Sequence, residues 1–185
     1  MDVRKAELRR EILDRLRFQK EETRLKKSKQ IKQSLFLQRE FQDAKTVMFY
    51  IAKSDEVETK DLIKEAIKMG KKVVVPVTDI DKREIVGSIL HDFENELEIG
   101  PFNVMQPKKE NIRPVSIEDI DLVVVPAVAF DQHGNRLGRG LGCFDRFLAK
   151  LNKKTFKIGI AFDFQLKDKI PVSCHDIPVT KVITA

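Results

Sequence analysis

Two short runs of valine constrain this chain more than any other feature. Val73-Val74-Val75 is closed by Pro76, and Val123-Val124-Val125 by Pro126. A strand that is apolar at every position has no solvent face, and such strands belong to parallel sheets covered by helices on both sides. Including these two, six β-rich runs fall at 46–51, 72–77, 84–90, 122–125, 157–161 and 179–183, with helical stretches between them at 59–69, 116–120 and 142–151. The first 69 residues hold no Gly and no Pro, and Leu8, Ile12, Leu16, Ile31 and Leu35 recur at helical spacing. They predict two helices, over 2–18 and 22–41. The expected fold is α/β: three layers, α/β/α, with a largely parallel central sheet and two N-terminal helices. Pro76 and Pro126 are expected to end ladder pairing at the C-terminal edge of the sheet, which is the edge where open α/β sheets bind ligands. Nothing divides the chain, so 1–185 reads as a single domain with the helical segment 1–41 packed on an α/β body. The stretch 91–116, with Gly100, Pro101, Pro107 and Pro114, reads as a long excursion from it.

Composition narrows the class. With 42% hydrophobic and 35% charged residues, and only 7 Pro and 8 Gly, collagen-like and disordered chains are excluded. Two cysteines, Cys143 and Cys174, are too few for a secreted disulfide framework and lack the paired spacing of a zinc site. They read as free thiols in a reducing cytoplasm. The longest apolar run, 122–130, is interrupted by Pro126 and falls short of the roughly 18 residues a membrane span needs. The net charge of +6 sits wholly in residues 1–41, which carry 13 Lys and Arg against 7 Asp and Glu. That excess attracts an anion, whether nucleic acid, membrane surface or a small polyanion, and it equally suits the solvated face of two amphipathic helices.

Half of all glycines fall in nine residues: Gly134, Gly138, Gly140 and Gly142, in the loop between a buried strand and the helix expected at 142–151. Glycine lets backbone N–H groups approach a ligand closely, and the following helix start adds about half a positive charge. Arg136 and Arg139 add fork-shaped donors for phosphate oxygens. This is an anion cradle in outline, although its spacing is neither a Rossmann fingerprint nor a Walker A loop. Loop arginines contribute little to a core, so replacing either is expected to leave the fold intact. Asp145, in the first turn of the helix, suits a helix-end charge, a salt bridge to Arg146, or a magnesium ligand beside the phosphate cradle.

The run Val125-Pro126-Ala127-Val128-Ala129-Phe130-Asp131, continuing through His133-Gly134-Asn135-Arg136-Leu137-Gly138-Arg139-Gly140 to Gly142-Cys143-Phe144-Asp145, resembles the 5-formyltetrahydrofolate cyclo-ligase family. Lys5, Arg9, the stretch Asp55-Glu56-Val57-Glu58-Thr59, Gln165, Pro171 and His175-Asp176 extend the resemblance over nearly the whole chain. It implies ATP-dependent closure of 5-formyltetrahydrofolate to 5,10-methenyltetrahydrofolate, with ATP as co-substrate and Mg²⁺ as the metal. It implies that Lys5, Arg9, Arg136, Leu137, Gly138, Arg139, Gly140, Leu141, Gly142, Cys143 and Phe144 bind ATP, with Arg136 and Arg139 catalytic. Ile51, Glu56 and Phe102 fall to the folate, and Asp145 and Asp176 to the metal. Lys5 and Arg9, four residues apart, would project from one helix face toward one phosphate chain. Thr59 is expected to cap the helix beginning at Lys60, with Glu58 in the same turn. Cys143 departs from the family, which usually has aromatics at both positions before this Asp, and Ala127 stands where Gly is common. The resemblance implies no nucleic acid, membrane or protein partner. Two readings compete with it: a nucleic-acid-binding module using the basic helices, and a sugar-phosphate isomerase on a similar scaffold. Release of ADP only in the presence of formylfolate would separate them.

Overall fold

Helical apolar spacing places α1 over Val3–Phe18 and α2 over Glu21–Phe36 in this computed structural model, which describes residues 3–185. The second predicted helix stops early. Gln38 adopts an extended conformation, its Nε2 donates to Ser34 O at 2.7 Å, and a separate α3 runs over Arg39–Asp43. The break turns the chain so that Phe41 stacks on Phe36, with ring centroids 4.7 Å apart, and is fully buried.

The remaining elements are β1 (Thr46–Met48), α4 (Lys60–Lys68), β2 (Lys72–Asp79), β3 (Glu84–Ile89), β4 (Leu97–Ile99), β5 (Met105–Pro107), β6 (Leu122–Val125), β7 (Ala129–Asp131), β8 (Arg136–Leu137), α5 (Cys143–Lys150), β9 (Phe156–Ala161), β10 (Leu166–Lys167) and β11 (Lys181–Thr184). Six strands form the main sheet in the order β11-β9-β6-β1-β2-β3, parallel throughout except for the antiparallel edge pair β2–β3. The pleat sends alternate side chains to opposite faces. Val47, Val73, Val75, Leu122, Val124, Ile158 and Ile160 pack with Ile12 and Leu16 of α1, Ile31 and Leu35 of α2, and Leu62 and Ile63 of α4. Met48, Val74, Val123 and Val125 pack with Phe147 and Leu148 of α5 on the other side. The valine runs therefore serve both cores of a three-layer fold. No helix among the described residues is long and apolar enough to cross a membrane.

Three expectations change. The stretch 116–120 contains only a 3-10 turn, Ile117–Asp119, and Asp121 just after it accepts the N–H groups of Lys45 and Thr46 at the start of β1. Pro126 does end β6, but Pro76 lies inside β2 opposite Gly87. Leu90 N donates to Val73 O, so the bonded positions toward β3 are Val73, Val75 and Val77, and the proline falls between them. Third, the excursion 91–116 contains the β4–β5 hairpin, and a second small sheet, β10-β7-β8, was not apparent in the hydrophobic pattern. Strands of two or three residues are too short to display an alternation.

The turn joining β7 to β8 depends on Gly134. Its φ is +79°, and a Cβ there would lie 2.2 Å from Val179 O, while Val179 N donates to Gly134 O at 2.9 Å. Gly134→Ala should therefore lose stability from both the left-handed backbone and the forced retreat of the segment around Val179, about 3 kcal/mol together. The urea midpoint is expected to fall with its slope unchanged. An unaltered midpoint would mean that the turn is not held against Val179.

The main sheet also determines where a ligand can lie. From β1 the chain passes to β2 on one side and later to β6 on the other, so the C-terminal ends of β1 and β6 face a crevice at the point where strand order reverses.

Candidate functional site

Past β1 the chain stays buried through Phe49, Tyr50 and Ile51, then opens into the loop that leads to α4. Tyr50 Oη donates to Val57 O at 3.1 Å, and burial, followed by the nearby carboxylates of Glu56 and Glu58, raises its pKa well above the usual value, so it stays a neutral donor. Thr59 stands at the N-terminus of α4, but its Oγ1 accepts Ala52 N at 3.0 Å. The cap comes from Glu58, whose carboxylate accepts Lys60 N and Asp61 N. The expected capping threonine instead closes the loop on itself, which leaves the helix donors to its neighbour. Glu56 Oε2 accepts Lys53 N at 3.0 Å, and the N-terminal segment supports the loop through Gln19, between α1 and α2, which donates to Asp55 O, and Arg24 of α2, which donates to Glu56 O.

The glycine loop is organised by Asp131, a fully buried residue. One carboxylate oxygen accepts His133 N and Asn135 N, and the other accepts Asn135 Nδ2 and Ile170 N, all at 2.9–3.1 Å. Burial alone would raise its pKa. The hydrogen bonds, led by that from Asn135, outweigh burial and hold the carboxyl below the usual range. The sequence signal for this role is Asp131-x-x-Gly134-Asn135, the signature of an Asx-stabilised turn.

Beyond this turn the four glycines divide. Gly134 is structural, while Gly138, Gly140 and Gly142 line a cavity of about 360 Å³ in the crevice between β1 and β6. Gly140 and Gly142 have φ of +117° and +67°, a region costly for other residues. Gly142 begins α5 without a side-chain cap, so the first N–H groups of that helix are left for a ligand, and Cys143, Phe144 and Asp145 line the same cavity. Ile51, Glu56 and Phe102, expected on the folate side, line it too. Leu137 is buried in the core and takes no part in the lining. Phe102 sits at the tip of the β4–β5 hairpin with φ of +58°, half exposed, its carbonyl held by Lys53 Nζ at 3.1 Å.

The two loop arginines differ sharply. Arg136 is only 4% exposed. Its Nη2 lies 2.7 Å from Asp145 Oδ1, and its Nε, aimed from a cavity-lining side chain, has no partner. Burial lowers its pKa, against the opposing pull of Asp145 and Asp176. Against the expectation that either loop arginine can be replaced without cost to the fold, Arg136 is buried and ion-paired with Asp145. The alternative partner for Asp145 also fails: Arg146 donates instead to the carbonyls of Arg83 and Leu141. Arg139 reaches out of the loop to Asp55 and Glu56, which more than offset the effect of burial and raise its pKa.

Lys5, Arg9 and Asp176 lie outside the cavity lining. Arg9 Nε donates to Gly138 O at 2.9 Å, so α1 is fastened against the back of the glycine loop, and Lys5 is ion-paired with Asp176, whose Oδ2 also accepts Ser173 N. Ile177 N donates to Asp145 Oδ1 at 3.2 Å, which brings the segment just past Asp176 onto the other predicted metal carboxylate. Among the described residues no three His, Cys, Asp or Glu side chains form a cluster able to hold a metal alone. Asp145, paired with Arg136, and Asp176, paired with Lys5, are two carboxylates of the hard oxygen type that would suit Mg²⁺, with its remaining ligands coming from phosphate and water. Both cysteines are free, and Cys143 Sγ lies 3.9 Å from Arg146 Nη2.

A family model described as the 5-formyltetrahydrofolate cyclo-ligase family matches residues 1–185. The mouse protein named 5-formyltetrahydrofolate cyclo-ligase is 32% identical, over 97% of this chain and 92% of its own. The solution structure of an Aquifex aeolicus 5,10-methenyltetrahydrofolate synthetase superposes with a TM-score of 0.84 at 34% identity, covering 97% of this chain and 89% of that one. A Mycoplasma pneumoniae protein of the same description gives a TM-score of 0.78 at 26% identity, covering 99% and 98%.

Proposed function

The chain belongs to the 5-formyltetrahydrofolate cyclo-ligase family, and on that premise we propose that it closes 5-formyltetrahydrofolate to 5,10-methenyltetrahydrofolate with ATP and Mg²⁺, releasing ADP and phosphate. One observation carries the reading. A single cavity is lined both by Gly138, Arg139, Gly140 and Gly142 of the glycine loop and by Ile51, Glu56 and Phe102, so a nucleotide and a pterin would meet in it.

The chemistry explains the need for both. The N5-formyl group is an amide, and its oxygen is a poor leaving group. That oxygen attacks the γ-phosphorus and the bond to ADP breaks. N10 then attacks the activated formyl carbon, the carbon–oxygen bond breaks to release phosphate, and N10 loses its proton. Phosphoryl transfer asks the protein for alignment and positive charge, not for a covalent nucleophile. Arg136, with its unpartnered Nε, and Arg139 supply fork-shaped donors; the uncapped N–H groups of α5 add theirs. Glu56 accepts hydrogen bonds from the N–H edge of the pterin, and Phe102 offers an aromatic face. Asp145 and Asp176 would hold Mg²⁺, which supplies charge to the phosphates and orients them. In this reading 1–185 works as one unit, with α1 packed behind the phosphate loop, and the free thiols suit a cytoplasmic setting.

The test is the absorbance of the methenyl product with ATP, Mg²⁺ and 5-formyltetrahydrofolate, each omitted in turn. Product must require all three. ADP release without folate, or product without ATP, would discard the reading.

A second measurement locates α1. Lys5→Ala and Arg9→Ala each remove a charge-assisted donor worth about 1.5 to 3 kcal/mol, so the KM for ATP should rise about tenfold or more while that for folate moves little. A raised folate KM with unchanged ATP KM would place this helix on the other ligand.

A further inference from the structure

Arg139 joins two segments that approach the cavity from different parts of the chain. Its Nη2 lies 2.9 Å from Asp55 Oδ1 and 2.9 Å from Glu56 Oε1, and its Nε lies 3.0 Å from the same Glu56 oxygen. Arg139 and Glu56 line the cavity; Asp55 does not. Asp55 is thus a carboxylate outside the lining whose side chain bonds to the guanidinium of a residue inside it.

The acceptor count at Glu56 gives this arrangement a consequence. A carboxylate oxygen offers two lone pairs. Oε1 accepts Arg139 Nε at 3.0 Å and has Nη2 of the same guanidinium in ion-pair contact at 2.9 Å, so the guanidinium covers that oxygen, and Oε2 accepts Lys53 N at 3.0 Å. A pterin edge presents two adjacent N–H donors, and a carboxylate meets such a pair with one site on each oxygen. Glu56 offers that pair only when Arg139 has withdrawn from Oε1, and a polyphosphate is the kind of ligand that draws a guanidinium away.

We propose that Asp55 is a positioning residue: together with Glu56 it holds Arg139 as a bar between the β1–α4 loop and the glycine loop, so that a polyphosphate taking Arg139 frees Glu56 for the folate. The two substrates then bind with positive coupling. The coupling rests on the assignment of Arg139 to phosphate and Glu56 to the pterin made above. Because coupling between sites is reciprocal, each ligand tightens the other by the same factor. Asp55 opposes the polyphosphate by competing for Arg139, so neutralising it strengthens polyphosphate binding, an effect that a merely structural role for Asp55 would not produce.

The experiment is calorimetric titration of the full chain with inorganic tripolyphosphate, with a non-hydrolysable ATP analogue plus Mg²⁺, and with 5-formyltetrahydrofolate in the presence and absence of that analogue. In the wild-type protein the analogue should tighten folate at least about fivefold, and folate should tighten the analogue equally. Asp55→Asn should bind tripolyphosphate about two- to fivefold more tightly and show a smaller coupling factor, whereas Asp55→Glu, which keeps the charge, should restore wild-type behaviour. A wild-type enzyme that turns over 5-formyltetrahydrofolate yet binds it equally well with and without the analogue overturns the proposal while leaving the activity standing. Unchanged or weaker tripolyphosphate binding by a folded Asp55→Asn also overturns it. A chain that binds tripolyphosphate but no folate removes the proposed activity, and the coupling with it. The wild-type measurement requires no variant to fold.

Discussion

Arg136→Ala is expected to abolish measurable turnover and weaken the fold at the same time. For turnover, the loss of one preorganised donor at a site of developing charge typically costs about 10² to 10³ in kcat. For stability, removing one member of an interior ion pair strands the other: Asp145 keeps only the N–H of Ile177 at that oxygen, with a side chain 20% exposed. The expected loss is about 3 kcal/mol. The two effects separate in a double variant. Arg136→Met with Asp145→Leu replaces both charges by apolar groups, so the urea midpoint should recover much of its loss while turnover stays absent. If Arg136→Ala folds as stably as wild type, the pair is not an interior one; if it turns over normally, Arg136 leaves the catalytic account.

Asp131→Asn carries the second large effect, through the loop instead of the ligand. The amide retains one oxygen for His133 and Asn135 N–H, but its NH₂ faces the donors Asn135 Nδ2 and Ile170 N, so one part-buried and one buried donor lose their acceptor. A loss of about 3 kcal/mol at neutral pH follows, at about 1 to 3 kcal/mol for each unsatisfied group. The pH dependence has a definite sign. The folded carboxyl titrates below the unfolded value of about 3.9, so its contribution is complete above that value and is lost as pH falls through the folded one. The gap between wild-type and Asp131→Asn urea midpoints should therefore be full at pH 7 and close in acid. A constant gap across that range would mean that the charge on Asp131 does not hold the turn. Because Asp131 anchors the strand pair leading to Arg136, activity should fall together with stability in this variant, and a fully active Asp131→Asn would dissociate the turn from the site.

What the sequence determined by itself is local or contiguous. The valine runs imply strands buried on both faces, and the structure places alternate valines in two separate cores. Leu8, Ile12 and Leu16 mark α1, and the glycine and arginine residues between 134 and 142 mark the loop, because backbone periodicity and positive φ are set over a few residues. The break at Gln38, the continuation of β2 through Pro76 and the Glu58 cap in place of Thr59 are misread from sequence, each because a partner elsewhere satisfies or excuses a local hydrogen bond.

Which charge meets which is set by folding. Asp145 pairs with Arg136 and not with its neighbour Arg146, Arg139 crosses to Asp55 and Glu56, and Lys5 meets Asp176 from the opposite end of the chain. Type and spacing identify such residues as chargeable donors and acceptors. Pairing depends on distances of a few ångströms between elements brought together by folding, and Coulomb energies and hydrogen-bond geometry change steeply on that scale. The cations were therefore recognisable in the sequence, while the contacts of Arg139 with Asp55 and Glu56, the Arg136–Asp145 ion pair and the hydrogen bonds of Asp131 exist only once the sheet has placed the ends of β1 and β6 side by side.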